Sequence, residues 1–265
     1  MILAITVFLA LFGHMLAPHS PIAINPREGE RPPAFMSGGS WTYPLGTDRQ
    51  GRDVLSRILV GTKYSIAVAV TVTVIGGLLG TAVGTLAGYR GGWLDTLLMR
   101  AVDASLTFPG ILLALVLVAS VGPGFWVVVI VLAFSVWPRF SRLVRAEVLA
   151  WKQRDFVALA RVAGGRGFYI TMKHILPNTL NSIVVMATLQ IGWAIVIEAT
   201  LGFLGVGIPP PTPTWGNIVA DGRTYVASAW WISLFPGIAI TVVVLSFNML
   251  GDWLRDALDP TLRQA

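Results

Sequence analysis

Uncharged apolar runs alternate with shorter polar stretches along almost the whole chain. A helix needs about 20 mainly apolar residues to cross the hydrocarbon core of a bilayer. Residues 65–88, for example, form 24 consecutive positions without a charged side chain. The pattern predicts an all-α integral membrane protein with six spans, at residues 2–17, 64–88, 108–121, 125–137, 179–207 and 232–251. The first run has no basic lead and no small-residue cleavage site, so we interpret it as a membrane helix rather than a signal peptide.

The polar stretches predict the connections. Residues 18–63 and 208–231 are expected to form external loops, and residues 252–265 a cytoplasmic tail. Residues 51–64 are amphipathic, which is typical of a segment at the headgroup boundary. The runs on either side of Gly122-Pro123-Gly124 are short for spans, and we expect both to borrow residues from their flanks, as helices of a tilted hairpin would.

Small residues recur within the second run. Gly76, Gly80 and Gly84 are spaced four residues apart, and Gly77 lies beside them. Spacing of this kind allows two membrane helices to approach closely. We therefore expect this span to pack tightly against a neighbour.

The amino-acid composition is that of a membrane protein and excludes several kinds of site. Mean hydropathy is +0.73, and only 12% of residues are charged. The absence of cysteine excludes disulfides and cysteine-based metal sites, and the three histidines show no ligand spacing. The net charge of +6 is expected from positively charged inner loops and does not indicate nucleic-acid binding.

The distribution of charge predicts the orientation. Residues 89–107, 138–178 and 252–265 together hold 12 Lys or Arg and 7 Asp or Glu, whereas the opposite side holds 7 and 6. Short cytoplasmic loops carry the excess of basic residues. Both termini are therefore expected in the cytoplasm.

The longest basic region, residues 138–178, contains a glycine-broken stretch that reads ALARVAGGRGFYITMKHILPN at residues 158–178. Asp155 is a suitable helix start because its negative charge lies near the positive end of the helix dipole. Gly164 and Gly165 are expected to stop that helix. A second short helix is predicted at residues 168–175, with Pro177 ending it. A helix–glycine–helix segment at the membrane surface suits docking into a groove of a soluble partner.

This segment resembles the cytoplasmic loop of permease subunits of binding-protein-dependent ABC importers. The family's loop is Glu-Ala-Ala, three residues, Gly, nine residues, Ile, any residue, Leu-Pro. The matching positions are Ala160, Gly164, Leu176 and Pro177. The departures are Ala158 at the glutamate, Leu159 at the first alanine and His174 at the isoleucine.

Three further segments are similar to permeases of the dipeptide, oligopeptide and nickel importers. They are YPLGTDRQGRDVLSRILVGTKYSI at residues 43–66, EATLGFLGVGIPPPTPTWGNIVADGR at 198–223 and SLFPGIAITVVVLSFNMLGDWLRDALDP at 233–260. The chain resembles the "C" type of the two permeases and starts later than that type usually does, without its cytoplasmic lead. The resemblance implies a type I ABC importer permease fold with six transmembrane helices in the bacterial cytoplasmic membrane. A cytoplasmic coupling-helix loop, residues 138–178, would lie between the fourth and fifth spans.

The resemblance also implies partners: a second permease subunit, two cytoplasmic ATPases, an external substrate-binding protein and membrane lipid, but no nucleic acid. ATP and Mg²⁺ would be bound by the ATPases, since this sequence has no phosphate-binding loop and no cofactor or catalytic site is expected in it. Short peptides are the expected cargo, with nickel chelates or haem-like compounds as alternatives. The residues that would couple to the ATPases are Asp155, Phe156, Ala158, Leu159, Ala160, Arg161, Gly164, Gly165, His174 and Pro177.

Several charged residues allow two interpretations. Glu198 can act as a gate or pathway contact, or it can reach the membrane interface or cap the following loop. Asp48, Arg52 and Asp53 can contact the binding protein or serve turns and helix caps. The basic residues Arg161 and Arg166, together with Lys173, can meet an ATPase or anionic lipid headgroups.

Two alternative functions would require sequence features that differ from those of an importer permease. A stand-alone secondary transporter requires inverted repeats and charged or broken helices at mid-membrane, and no convincing repeat is found. A membrane-embedded enzyme requires a cluster of Asp, His or Ser groups at membrane depth, and none is evident.

Overall fold

The computed structural model describes residues 1–258, and these are almost entirely helical. The helices are α1 Ile2–Leu16, α2 Val54–Arg90, α3 Gly92–Thr107, α4 Gly110–Val121, α5 Phe125–Trp151, α6 Asp155–Val162, α7 Gly167–Ile170, α8 Leu176–Phe203, α9 Trp215–Gly222 and α10 Trp231–Leu258. A short 3₁₀ turn lies at Pro26–Glu28, and a π-helical segment, Thr171–Ile175, joins α7 to α8. Residues 1–258 contain no β-strand, and the predicted all-α fold is confirmed. The first part of the predicted tail, residues 252–258, belongs to α10. The rest of the predicted tail lies outside the described residues.

The long apolar helices account for most of the predicted spans. Within residues 1–258, four helices are long and apolar enough to cross a membrane: α2, α5, the joined helix Gly167–Phe203 and α10. Helices α3 and α4 form a fifth candidate that is bent by 80° at the Phe108–Pro109 break. Helix α1 is apolar but has only 15 residues, or about 22 Å at the α-helical rise.

The amphipathic residues of the 51–64 stretch from Val54 onward belong to the same helix as the second predicted span. Helix α2 runs from Val54 to Arg90 without interruption, for 37 residues. No proline or turn lies within it, and its first turns are buried against other apolar side chains, with Val54 completely buried. Tertiary packing therefore keeps these residues in the same helix as the span.

Helices α4 and α5 differ in how far they extend beyond their predicted apolar runs. Helix α5 continues 14 residues beyond the predicted end at residue 137, through Pro138 to Trp151. Its buried face extends past the proline, since Phe140, Val144 and Val148 have almost no exposed surface. Helix α4 has only 12 residues because the residue before Pro109 is extended, as residues before proline usually are. Helix α5 thus extends into its C-terminal flank as expected, whereas α4 begins at Gly110 and forms a candidate span only together with α3.

The chain divides into two compact units. The first unit consists of Met1–Val70, Ala114–Val129 and Gly192–Phe247. Its connection between α1 and α2 is ordered: Trp231 is buried, and its indole Nε1 donates to the carbonyl of Thr47 at 3.0 Å. Ile232 and Ala229 complete a small apolar core with the start of α2.

The second unit consists of Thr71–Leu113, Ile130–Ile191 and the described residues from Asn248 onward. The glycines of α2 pack on α5, as their spacing predicts. A Cβ added to Gly84 would lie 2.5 Å from the carbonyl oxygen of Ser141, and one added to Gly76 would lie 2.9 Å from Val136. Only glycine fits at such contacts, so the spacing identifies the contact face of the helix.

Two ion pairs also join helices of the second unit. Arg145 of α5 donates from Nε and Nη2 to both carboxylate oxygens of Asp95, at 2.6 and 2.7 Å. Arg142 and Asp103 form a second pair at 2.7 Å, with both side chains more than half exposed.

Candidate functional site

The helix–glycine–helix segment predicted from the basic region is present. Helix α6 begins at Asp155, and its end is closed by Gly164, whose φ of +82° lies in the left-handed region. The amide of Gly165 donates to the carbonyl of Ala160 at 2.9 Å, and that of Gly164 donates to Arg161 at 3.0 Å. This pair of bonds is the Schellman arrangement, which glycine favours because it has no Cβ.

The second half of the segment differs from its prediction. The helix that starts at Gly167 does not end at Pro177 but continues to Phe203 as one rod of 37 residues. Proline in an α-helix clashes with the carbonyl four residues earlier. Here the preceding residues, Thr171–Ile175, wind as a wider π-helix, and the amide of Leu176 donates to Thr171, five residues back. The wider turn accommodates the ring, so the chain passes into α8 without a break.

The segment is anchored by apolar side chains on one side. Val157 of α6, Ile170 of α7 and Ile175 of the π-segment are buried in one cluster with Val144 and Val148 of α5. A hydrogen bond just before α6 adds to this anchor. The ammonium group of Lys152 donates to the carbonyl of Tyr89 at 2.6 Å. The position of the segment is therefore fixed by the core of the second unit.

The opposite side of the segment is apolar and exposed. Leu159, Val162 and Phe168 expose 68%, 88% and 77% of their surface. A groove beside them is lined by predicted coupling residues and two neighbours, namely Phe156, Leu159, Ala160, Ala163, Gly165, Tyr169 and His174. The His174 ring lies 5.7 Å from the ring of Tyr169 and 6.5 Å from that of Phe156, so its contacts are aromatic.

The remaining predicted coupling residues lie around this groove. The structure brings Ala160 and Gly165 together through the helix cap, and Phe156 and His174 through their rings. Five predicted residues are exposed and do not line the groove: Asp155, Ala158, Arg161, Gly164 and Pro177.

In the first unit, Asp48 and Arg52 belong to a network of charges. Arg57 donates to Asp48 at 2.6 Å and contacts Asp221 at 2.9 Å. Arg52 donates to the same two carboxylates, at 2.6 and 2.8 Å. Asp48 is almost fully buried, so its side chain fits the turn-forming alternative and offers no surface to a binding protein.

Asp53 acts as the cap of α2. Its Oδ2 accepts hydrogen bonds from the amide and the hydroxyl of Ser56, at 3.1 and 2.5 Å, and lies 3.3 Å from Nδ1 of His19. Of the two roles that the sequence left open for Asp53, the structure therefore shows the helix cap. Asp53 is also buried, and only Arg52 of the three predicted contacts is partly open.

Glu198 is completely buried near the end of α8. Its Oε2 accepts a hydrogen bond from the hydroxyl of Ser65 at 3.1 Å, and that hydroxyl accepts from the amide of Trp215 at 3.2 Å. Glu198 therefore helps to hold α2, α8 and the start of α9 together. Full burial does not fit a side chain that reaches the membrane interface, which was one of the alternatives for Glu198.

Three functional elements were missed by the sequence analysis. Ser65 is a hydroxyl inside an apolar run, and nothing in the pattern distinguishes it. Asp221 is known as the partner of Arg52 and Arg57 only from the fold, since 164 or more positions separate them. Helix α9 could have been predicted from Thr214, whose hydroxyl caps it by accepting from the amide of Asn217 at 3.3 Å.

Sequence comparison gives close relatives along nearly the whole chain. The dipeptide transport system permease protein DppC of Escherichia coli K12 is 44% identical over 260 residues, covering 98% of this chain and 87% of the relative. The di/tripeptide transport system permease protein DppC of Pseudomonas aeruginosa is 40% identical, covering 98% and 86%. The glutathione transport system permease protein GsiD of Pectobacterium atrosepticum is 44% identical, covering 85% and 75%.

A solved structure supports the fold. The MetNI methionine ABC transporter in an inward-facing conformation matches 77% of this chain and 96% of its own chain, with a TM-score of 0.64 and 18% identity. The fold is therefore that of a type I ABC importer permease. The model of the family "Binding-protein-dependent transport system inner membrane component" matches residues 80–264, more than half of the chain. The chain belongs to this family and is an ABC importer permease subunit of the dipeptide and oligopeptide type.

Proposed function

We propose that this permease subunit imports short peptides across the bacterial cytoplasmic membrane. The names of the relatives support the cargo, since two are named for dipeptides or di- and tripeptides and a third for glutathione, itself a tripeptide. Nickel chelates and haem-like compounds are second candidates that rest on the subfamily resemblance alone. The excess of basic residues in residues 89–107, 138–178 and 252–265 supports cytoplasmic termini.

The proposed complex also contains a second, homologous permease, two cytoplasmic ATPases and an external binding protein. The family description supports the binding protein. ATP and Mg²⁺ would be held by the ATPases, because this sequence lacks the phosphate-binding loop that an ATPase needs.

The observation that carries the coupling proposal is the two-sided segment at residues 155–177. One side is fixed in a buried cluster through Val157 and Ile175, while the other presents Leu159 and Val162 to the outside. Exposed apolar patches on a rigid support are typical of protein–protein contacts. A groove of this kind fits a partner surface that supplies apolar side chains of its own.

Basic side chains surround this apolar surface. Arg161, Arg166 and Lys173 are exposed and favour an acidic rim on an ATPase. Anionic lipid headgroups remain the alternative partner for the same charges.

Movement of the segment would be transmitted directly to the membrane spans. Val157 packs with Val144 and Val148 of α5, and Ile175 lies in the helix that becomes α8. A displacement of α6 therefore acts on both helices without a flexible linker. ATP binding that favours one state of the ATPases would then favour one state of the pathway.

The test is the substitution Leu159→Asp in the intact complex, purified in mild detergent. A charge placed in a docking groove should weaken ATPase association at least about 30-fold, the size of a buried contact residue's contribution. Leu159 is exposed, so the variant should keep the wild-type yield and melting temperature. The measurements are co-purification of the ATPases and ATP-driven peptide uptake.

The matched control is Gln153→Asp, at an exposed position in the turn before α6. It adds the same charge outside the groove and should leave both readouts unchanged. Full association and uptake in Leu159→Asp would show that the groove is not the docking site. A wild-type chain that purifies without ATPases would contradict the multi-subunit proposal.

A further inference from the structure

A pocket of about 260 Å³ in the first unit contains an unusual set of charges. Its lining includes three arginines, Arg52, Arg57 and Arg223, but one carboxylate, that of Asp221. The rest of the wall is formed largely by the turn after α8 and the proline-rich stretch that follows it. The pocket therefore faces its contents with a net positive charge.

Two of the three arginines are held rigidly. Arg52 and Arg57 each contact both Asp48 and Asp221, at distances between 2.6 and 2.9 Å. Arg57 is only 3% exposed, and its Nε is buried without a hydrogen-bond partner among the described residues. A buried charged group is costly unless its donors are satisfied. The charged side chains of the pocket wall thus offer more hydrogen-bond donors than acceptors.

The third arginine is open to a ligand. Arg223 is exposed, and one of its nitrogens makes a long hydrogen bond of 3.4 Å to the carbonyl of Phe203. Its guanidinium lies 5.8 Å from the centre of the Phe203 ring, which orients the group without using its N–H donors. Arginine has five such donors in a planar fork that matches a carboxylate.

This combination suits a singly charged planar anion. An unmodified short peptide of any sequence carries a C-terminal carboxylate, so a site for that group would serve cargo whose side chains vary. We infer that this pocket binds the C-terminal carboxylate of the peptide cargo and that Arg223 contacts it. The inference rests on the proposed function, including the external position of residues 208–231.

The experiment uses the complete importer and its binding protein in proteoliposomes. Uptake of a dipeptide is compared with uptake of the same dipeptide as its C-terminal amide. Each is supplied at the concentration at which calorimetry shows the isolated binding protein to be saturated, so discrimination by the permease is measured separately. We expect the acid to be taken up about tenfold faster by the wild type, the value of one charge-assisted hydrogen bond.

The substitution Arg223→Gln should lower uptake of the acid to the rate of the amide and leave the amide unchanged. Arg223→Lys keeps the charge but loses the fork, and should retain part of the preference. Arg27→Gln, an exposed arginine outside the pocket, is the control and should change neither rate.

Three results would overturn the inference. An equal loss for acid and amide would assign Arg223 to binding-protein docking, and an unchanged acid rate would assign it no role in cargo contact. Both results would leave the proposed function intact. A wild-type importer that takes up neither peptide would instead remove the proposed peptide function and this inference with it.

Discussion

The first unit buries several charged side chains, whereas the second keeps most of its charge outside. Asp48 and Arg57 are nearly inaccessible and form an ion pair within the first unit. In the second unit the core consists of valines and isoleucines, and the ion pair of Arg142 with Asp103 is more than half exposed. The stability of the first unit therefore depends on buried ion pairs, and that of the second depends on apolar packing.

The difference shows where each unit tolerates change. Removing one member of a buried pair leaves an uncompensated charge, so the first unit should be sensitive to charge. The second unit brings α2 and α5 together at glycines, so it should be sensitive to side-chain volume. The exposed side chains Leu159, Val162 and Phe168 of this unit belong to neither the charge network nor the glycine contact, so substitutions there should leave the protein folded.

The largest effect should follow Asp48→Ala. This change leaves Arg57 buried beside Arg52 with only Asp221 as a partner, at an expected cost of about 3–5 kcal/mol. The thermal midpoint of the detergent-purified complex measures it, with yield as a second readout. An unchanged midpoint would show that the network does not stabilise the first unit.

A smaller loss is expected for Gly84→Val in the second unit. The added Cβ would meet the carbonyl of Ser141 at 2.5 Å, and overpacking of this kind costs about 3 kcal/mol at the upper end of its usual range. Ala82→Val places the same side chain on an exposed face of the same helix and is the control. Equal melting temperatures for the two variants would refute the close helix contact.

Gly164→Ala should cost about 1 kcal/mol, because alanine is strained at a φ of +82°. Nothing lies within 4 Å of the added Cβ, so the loss reports backbone strain alone. Gly164→Asn should lose less, since asparagine tolerates the left-handed region. Denaturation monitored by circular dichroism compares the variants, and an alanine variant as stable as wild type would contradict the helix cap.

Asp103→Ala should have the smallest effect, between zero and about 1 kcal/mol, because exposed ion pairs contribute little. It removes one exposed carboxylate from an Arg–Asp pair, whereas Asp48→Ala removes a buried carboxylate that pairs with two arginines, so the thermal midpoint should fall far less. A destabilisation as large as that of Asp48→Ala would remove the contrast between the units.

Features that depend on local sequence were predictable. The helix start at Asp155, the stop at Gly164 and the close packing of the α2 glycines each follow from a residue's own conformational or steric properties. The all-α fold followed from the length and apolarity of the runs.

Features that depend on tertiary contacts were not predictable in the same way. A proline such as Pro177 usually predicts the end of a helix. Here the wider π-helical turn before it leaves room for the proline ring, and the helix continues. The sequence left several roles open for Glu198, and its contact with Ser65, 133 positions away, is known only from the fold. The continuation of α5 past Pro138 depends on a buried face that only the folded neighbours define.

The π-segment Thr171–Ile175 also sets the rotational phase of α7. Each residue of an α-helix advances the chain by about 100° around the axis, and a π-turn inserts one residue into that count. Rewinding this segment as α-helix would turn Phe168 and Tyr169 by roughly that angle relative to α8. The direction in which these two rings face relative to α8 is thus determined by the winding of these five residues.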